Sequence, residues 1–257
     1  MNYARLPWIC SLLLILFLNV IIAPPYSASA TRDGIEKSYY PNSRLKEEIS
    51  YRNGVFDGPM KEYYENGALK REATYKNGEL ESIAKAYHTN GNLKAEVHYR
   101  NGERHGLRRT YHEDGSLYDD ENYNMGKLDC RKAMYAGPNL LSIETQFKNG
   151  LKNGKETIYL PGGGPVLEAN YVNGKKEGES IRRSFHNSSI ILQRSYYKDN
   201  ELDGVITTYY NLPSTSAGRI QKTETYKNGK LDGPTTYYDE RGNVTAVEQY
   251  KDGMKTL

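Results

Sequence analysis

Five histidines are the first residues to consider as metal ligands or proton carriers in this 257-residue chain: His88, His98, His105, His112 and His186. His88 and His112 hold equivalent places in two neighbouring segments, where Tyr64 stands in an earlier one. This repetition favours a structural or solvated role over a metal site. No nucleophile–base pair and no metal-ligand spacing stands out. The sequence therefore predicts no enzyme, with no catalytic residue, no metal site and no cofactor.

Three other features could carry chemistry. The acidic cluster of Asp114, Asp119, Asp120 and Glu121 lacks the spacing of a calcium loop, and we expect it to form a solvated strand edge. The run Gly162–Gly164 could cradle a phosphate, but no helix follows it, so it predicts a widened hairpin turn. Cys130 stands where most other segments have glycine. It is expected to be a small packed residue, with an intermolecular disulfide as the alternative.

Basic residues follow a recurring aromatic position, among them Arg52, Lys76, Arg100 and Lys148. Aligned in space, they would form a stripe that could contact anionic lipid, which is the alternative function. Acidic residues recur too, at Glu72, Glu96, Asp120, Glu144 and Glu168, and we expect the two rows to offset each other. The net charge is only +3, and no concentrated basic face predicts binding to nucleic acid.

A repeat positions all of these side chains. Its opening aromatic residues are Tyr51, Tyr75, Tyr99, Tyr123, Phe147, Tyr171, Tyr197, Tyr226 and Tyr250, mostly 24 residues apart. In the first full unit, Asn53-Gly54 and Asn66-Gly67 are strong signals for hairpin turns. The runs Pro59–Tyr64 and Ala68–Lys76 read as strands. Each unit is therefore predicted to be a two-stranded hairpin.

A lone hairpin is marginally stable, so the units must stack and share their apolar faces. The predicted fold is all-β, an elongated array of about eight stacked antiparallel β-hairpins. Residues 31–50 are a partial leading repeat, and residues 51–257 form the array, which ends in a partial closing repeat. Equivalent tyrosines are expected to form rows across the sheet.

Residues 1–30 have the organisation of a secretory signal peptide. Arg5 precedes an apolar run from Ile9 to Ala23, and Ala28-Ser29-Ala30 supplies a cleavage signal. An uncleaved N-terminal membrane anchor is the alternative, but the run is shorter than the roughly 20 residues that a spanning helix needs. The sequence thus predicts export to the periplasm, the cell envelope or the medium.

The loops at one end of the units differ between early and late repeats. Four consecutive late loops depart from the minimal form: Gly137–Asn139, Pro161–Pro165, Asn187–Ile190 and Leu212–Gly218. Stacking would gather them along one edge, where clustered loops often carry recognition, although drift in surface loops is an alternative. The candidate partner-binding residues are Pro138, Asn139, Pro161, Gly163, Pro165, Asn187, Leu212, Pro213 and Arg219.

The unit also resembles a known family. The matching residues are Tyr51, Asn53, Gly54, Gly58, Tyr63, Tyr64, Gly67, Leu69 and Glu72, and comparable positions recur over residues 33–257. They resemble the MORN repeat family, in particular the MORN-2 variant of bacterial proteins often labelled as antitoxins. That resemblance implies stacked hairpins without a catalytic centre, and roles in protein association or membrane contact. We therefore expect an exported, non-enzymatic scaffold with an unidentified protein partner. An immunity- or antitoxin-like binder is one version of this function, and the oligomeric state stays open.

Overall fold

The computed structural model describes residues 32–211 and 218–256. They form twenty strands, and no helix long and apolar enough to cross a membrane occurs among them. The strands are β1 (Gly34–Tyr39), β2 (Leu45–Arg52), β3 (Val55–Tyr63), β4 (Leu69–Lys76), β5 (Glu79–Tyr87), β6 (Leu93–Arg100), β7 (Glu103–Tyr111), β8 (Leu117–Asn124), β9 (Lys127–Gly137), β10 (Leu140–Lys148), β11 (Leu151–Tyr159), β12 (Pro165–Val172), β13 (Lys175–Arg183), β14 (Ile191–Lys198), β15 (Glu201–Leu202), β16 (Gly204–Tyr209), β17 (Ile220–Lys227), β18 (Lys230–Tyr238), β19 (Val244–Lys251) and β20 (Met254–Thr256).

Each strand pairs antiparallel with the next one in the chain, so the protein forms one open sheet of consecutive hairpins. Because β15 and β16 both pair with β14, they are two parts of one strand position. The predicted all-β array is confirmed. The first strand of a unit is longer than expected, since Phe56 pairs with Tyr51 and Val55 with Arg52 beside the tight turn.

Two-residue turns join the second strand of one unit to the first strand of the next. Asn53 and Gly54 have φ values of 52° and 80°, as a type I′ turn requires. Asp199 and Asn200 adopt the same conformation without glycine, at 52° and 76°. The Gly54 amide also donates to the Arg32 carbonyl at 2.9 Å. Equivalent bonds recur along the array, so the turns tie successive units together.

A second position that recurs in the units, four residues after the second residue of each tight turn, also has a positive φ. Gly58 (113°) and Gly233 (128°) lie there beside irregularities in the strand register. Ser82 and Cys130 occupy the same position with φ values of 70° and 68°. Cys130 is exposed, so the expectation of a small packed residue is wrong. The position therefore requires a positive φ in these units but does not always require glycine.

Most of the core is a row of side chains that crosses the middle of one face of the sheet. In the cross-strand direction, Ala84 lies opposite Val97, Val97 opposite Arg108, and Arg108 opposite Glu121. The described residues supply no second layer to cover this row. Small and β-branched side chains therefore dominate its buried positions further along the sheet: Thr145, Ala169, Ser180, Ser195, Ile206 and Thr235.

A charged cluster lies within this row at the centre of the array. Arg108 donates to Asp119 at 2.9 Å and to Glu121 at 2.8 Å, and Lys132 pairs with Glu121 at 2.7 Å. Asp119 and Glu121 are only 7% and 5% exposed, so the predicted solvated strand edge is wrong. The prediction failed because a carboxylate in a strand is expected to be solvated unless the cation that faces it on the neighbouring strand is known.

The ionisation of this cluster follows from its pairing. Burial alone would raise the pKa of Glu121, but the Lys132 hydrogen bond and the Arg108 charge hold it below its ordinary value. Burial also opposes the charge on Arg108, yet Asp119 and Glu121 raise the pKa of its guanidinium. Burial and Glu121, which accepts from the Tyr123 hydroxyl at 2.8 Å, raise the pKa of Tyr123 to about 12. Glu121 and Arg108 therefore keep their charges near neutral pH.

A ladder of alternating charge crosses the opposite face. Successive strands place these residues directly opposite one another: Lys37, Glu48, Lys61, Glu72, Lys85, Glu96, Arg109 and Asp120. Cross-strand pairs of opposite charge stabilise a sheet. Glu72 and its equivalents thus face this row of cations, and the expectation that they offset the stripe of Arg52 and Lys76 is wrong. The residues opposite Glu72 on the two neighbouring strands are Lys61 and Lys85, which the sequence analysis had not singled out.

Candidate binding edge

The loops of the array lie along two edges of the sheet. The turn edge carries the two-residue turns described above. The tip edge carries the loops inside each unit: residues 40–44, 64–68, 88–92, 112–116, 137–140, 160–164, 184–190 and 239–243, together with the described loop residues 210–211 and 218–219. Because strand direction alternates, all these tips lie on the same side.

The predicted partner-binding residues that can be located fall on the tip edge. Pro138 and Asn139 form a two-residue tip, Pro161 and Gly163 lie in the next tip, and Pro165 begins β12 directly after it. Asn187 and Arg219 belong to the two following tips. Leu212 and Pro213 lie outside the described residues.

The Gly162–Gly164 segment does not form the widened turn that the sequence predicts. The Leu160 amide donates to the Gly164 carbonyl, and the Gly163 amide to the Leu160 carbonyl, both at 2.8 Å. Tyr64 and Gly67 make the same two bonds in an early tip. A three-residue loop with a left-handed residue at its end has this geometry, so three glycines do not lengthen it.

Aromatic rings connect the first three tips to the next unit. The hydroxyl of Tyr40 donates to the Tyr63 carbonyl at 2.8 Å, and that of Tyr64 donates to the Tyr87 carbonyl at 2.8 Å. His88 Nε2 lies 3.0 Å from the Tyr111 carbonyl oxygen, which supports its structural role. Tyr210 repeats the contact near the end of the array, donating to the Tyr238 carbonyl at 2.6 Å. We call these contacts ring latches.

The middle of the tip edge cannot form ring latches. Ala136, Leu160 and Ser184 occupy the ring position in three consecutive units. The tips that they begin also contain no Asp, Glu, Lys or Arg over residues 136–142, 158–167 and 184–193. The tip residues are therefore uncharged, and these units are not joined by rings. Arg183, which precedes the third tip, pairs with Glu168 at 2.7 Å and donates to the Ser188 carbonyl at 3.5 Å.

A shallow cleft opens between two of these tips. Its volume is about 400 Å³, and it is lined by Leu160, Pro161, Gly162, Gly164, Phe185, His186, Asn187 and Ser188. Phe185 is 66% exposed and lies at the rim of this cleft. A Cβ atom on Gly164 would lie 2.4 Å from Ser188 Cβ, so glycine allows the two tips to approach.

Two of the predicted partner-binding residues, Pro161 and Asn187, line this cleft, whereas Leu160, Phe185, His186 and Ser188 were not among the predicted partner-binding residues. A signal for Phe185 was present in the repeat. Its place in the unit is taken by Glu65, Thr89 and Glu113 in earlier copies, so a phenylalanine at a solvated tip stands out once the units are aligned.

The basic stripe lies on the turn edge, whereas the cleft lies on the tip edge. Arg52, Lys76, Arg100 and Lys148 are all exposed there. Acidic residues accompany them, because one carboxylate in most units accepts a bond from the first amide of the next tight turn: Asp33, Asp57, Glu81, Asp129, Glu177 and Asp203. Asp57 also lies 3.6 Å from the Arg52 guanidinium. The stripe is therefore interrupted by negative charge.

Nothing in the described residues suggests a metal centre, since no group of three potential ligands occurs among them. A family model for the MORN repeat variant matches four consecutive segments, residues 32–53, 56–77, 80–101 and 104–125. No curated protein matches the sequence. Beyond residue 125 the same hairpins and tight turns continue to Thr256. Residues 32–125 therefore carry four consecutive matches to the MORN repeat variant, and the described hairpins that follow extend the same array.

Proposed function

We propose that this protein is a non-enzymatic scaffold that binds a protein partner through the central part of its tip edge. MORN repeats are in general interaction modules for proteins or lipids. The observation that carries the proposal is the cleft beside Phe185, in a stretch of edge whose tips are uncharged and lack ring latches. Exposed aromatic side chains and the absence of charge are typical of the centre of a protein interface. The acidic residues along the turn edge make a lipid contact there less well supported.

Photo-crosslinking from single positions tests this proposal. A photoreactive amino acid replaces Phe185 on the tip edge or, as a control, Val172 at the turn edge, which is 49% exposed. We expect the probe at position 185 to trap a protein partner in the native cell and the probe at position 172 to trap none. Equal trapping from both positions, or trapping from position 172 alone, would refute a tip-edge interface.

Export belongs to the same proposal, since it sets where the partner is found. The support is the order of Arg5, the apolar run and Ala28-Ser29-Ala30 in residues 1–30, which lie outside the described residues. An immunity-like version of the function would place a toxin partner in the same compartment. N-terminal sequencing of the protein from its native cell is expected to start after Ala30. A chain that keeps residues 1–30 would instead indicate the membrane anchor.

A further inference from the structure

The cleft occupies a place where four other units use a ring latch. In each latch, a ring on the first residue of a tip reaches the backbone carbonyl that ends the first strand of the next unit. Tyr64 and Tyr87 show the geometry, with the hydroxyl 2.8 Å from the carbonyl oxygen. The corresponding residues are Leu160, which lines the cleft, and Arg183, which ends β13 two residues before Phe185. Leu160 has no hydrogen-bond donor, so it cannot supply the bond that Tyr64 makes.

We infer that this cleft binds a tyrosine side chain of the protein partner, which takes the place of the missing ring. This inference rests on the proposed function and names the chemistry of the same site. The phenol ring would pack against Phe185 and Leu160, and its hydroxyl would donate to the Arg183 carbonyl. The flanking tips carry no Asp, Glu, Lys or Arg, so the partner segment around the tyrosine is expected to be uncharged.

The ring latches support this occupant over a purely apolar one. Where Tyr40, Tyr64 and Tyr210 form latches, their hydroxyls consistently end on a carbonyl, at 2.6–2.8 Å. A strand carbonyl has a second lone pair beyond its ladder bond, and these tyrosines use it. A phenylalanine would fill the space but leave that lone pair without a donor.

Two small probes and two matched variants test the inference. N-acetyltyrosinamide and N-acetylphenylalaninamide differ only in the hydroxyl, and NMR titration of the mature chain follows the Phe185 and His186 signals. The tyrosine probe is expected to bind about three- to tenfold more tightly, as one added hydrogen bond allows. Equal affinity of the probes, or signal changes confined to other regions, would overturn the inference.

Leu160→Tyr should restore an internal latch and exclude the tyrosine probe. Leu160→Phe is the matched control: it should also exclude the probe, but raise the melting temperature less, because it cannot donate to the Arg183 carbonyl. If folded Leu160→Tyr binds the tyrosine probe as tightly as the wild type does, the proposed tyrosine seat is contradicted. If that variant does not fold, Phe185→Ala serves instead, and an unchanged affinity there would contradict it equally.

The results separate this inference from the proposed function. A partner that is trapped from position 185 and still binds Leu160→Tyr as tightly would keep the tip-edge interface and reject the tyrosine seat. If the tyrosine probe binds at the cleft but no partner is trapped from position 185, the tyrosine seat is kept and the tip-edge interface is rejected.

Discussion

Replacing Glu121 with alanine is expected to destabilise the centre of the array by about 3–5 kcal/mol, the usual loss when one partner of a buried ion pair is removed. Glu121 accepts bonds from Arg108, Lys132 and Tyr123 at 2.7–2.8 Å. Without it, the buried Arg108 keeps only Asp119 as an anionic partner. Because repeat arrays can unfold locally, hydrogen exchange over β7–β9 should show the loss most clearly.

The pH dependence of this loss is also fixed by the structure. The pKa of Glu121 is lowered in the folded protein, so its contribution to stability is complete above the unfolded pKa of about 4.3 and declines as the pH falls through the folded value. The difference between wild type and Glu121→Ala should therefore shrink in acid. Glu240→Ala, at an exposed tip, is the control and should change stability little. Similar losses in both variants would refute a buried charge cluster.

Replacing Gly233 with alanine should cost about 3 kcal/mol, from backbone strain and a clash together. Gly233 has a φ of 128°, and a Cβ there would lie 3.0 Å from Thr225 Cβ. Gly178 holds the equivalent position with a φ of 76° and no atom within 4 Å of a Cβ. Gly178→Ala should therefore cost only about 1 kcal/mol, the price of a left-handed conformation.

Denaturant unfolding of both glycine variants, with hydrogen exchange over β17–β19 for Gly233→Ala, measures the contrast. Ser82 and Cys130 already show that the position tolerates a side chain at a φ near 70°. If Gly233→Ala and Gly178→Ala lose the same free energy of unfolding, the cost of replacing this recurring glycine does not come from its backbone angle.

Local signals in the sequence were enough to predict the hairpins. Asn53-Gly54 defines its turn through the positive φ of two adjacent residues, which depends on no distant contact. The same turn signals also predicted that all tips lie on one edge, because tight turns and tips alternate along the chain. These features depend on residues close together in the chain, so one unit suffices to read them.

Contacts between units could not be read in the same way. Glu72 lies on the same strand as Lys76, and the register of the sheet places Glu72 opposite Lys61 and Lys85 instead. A one-residue error in register moves every side chain to the other face. The buried charge cluster and the ring latches both depend on that register, and both escaped the sequence.

One replacement shows how the array keeps its charge balance when a repeat position changes. In the cation row of the ladder, Ala133 takes the place held by Lys61, Lys85 and Arg109. Arg131, two residues earlier, instead reaches Glu144 at 2.6 Å. The basic charge is thus supplied from a neighbouring position, and no single repeat shows this exchange.

Strictly sequential strand pairing has a consequence for how the chain acquires its structure. Every ladder joins neighbours along the polypeptide, so the contact order is low and no strand must wait for a distant segment. Folding can then proceed like a zipper, hairpin by hairpin, as the polypeptide emerges from a ribosome or a translocation channel. A chain interrupted partway could already hold its completed units, ready to add the next.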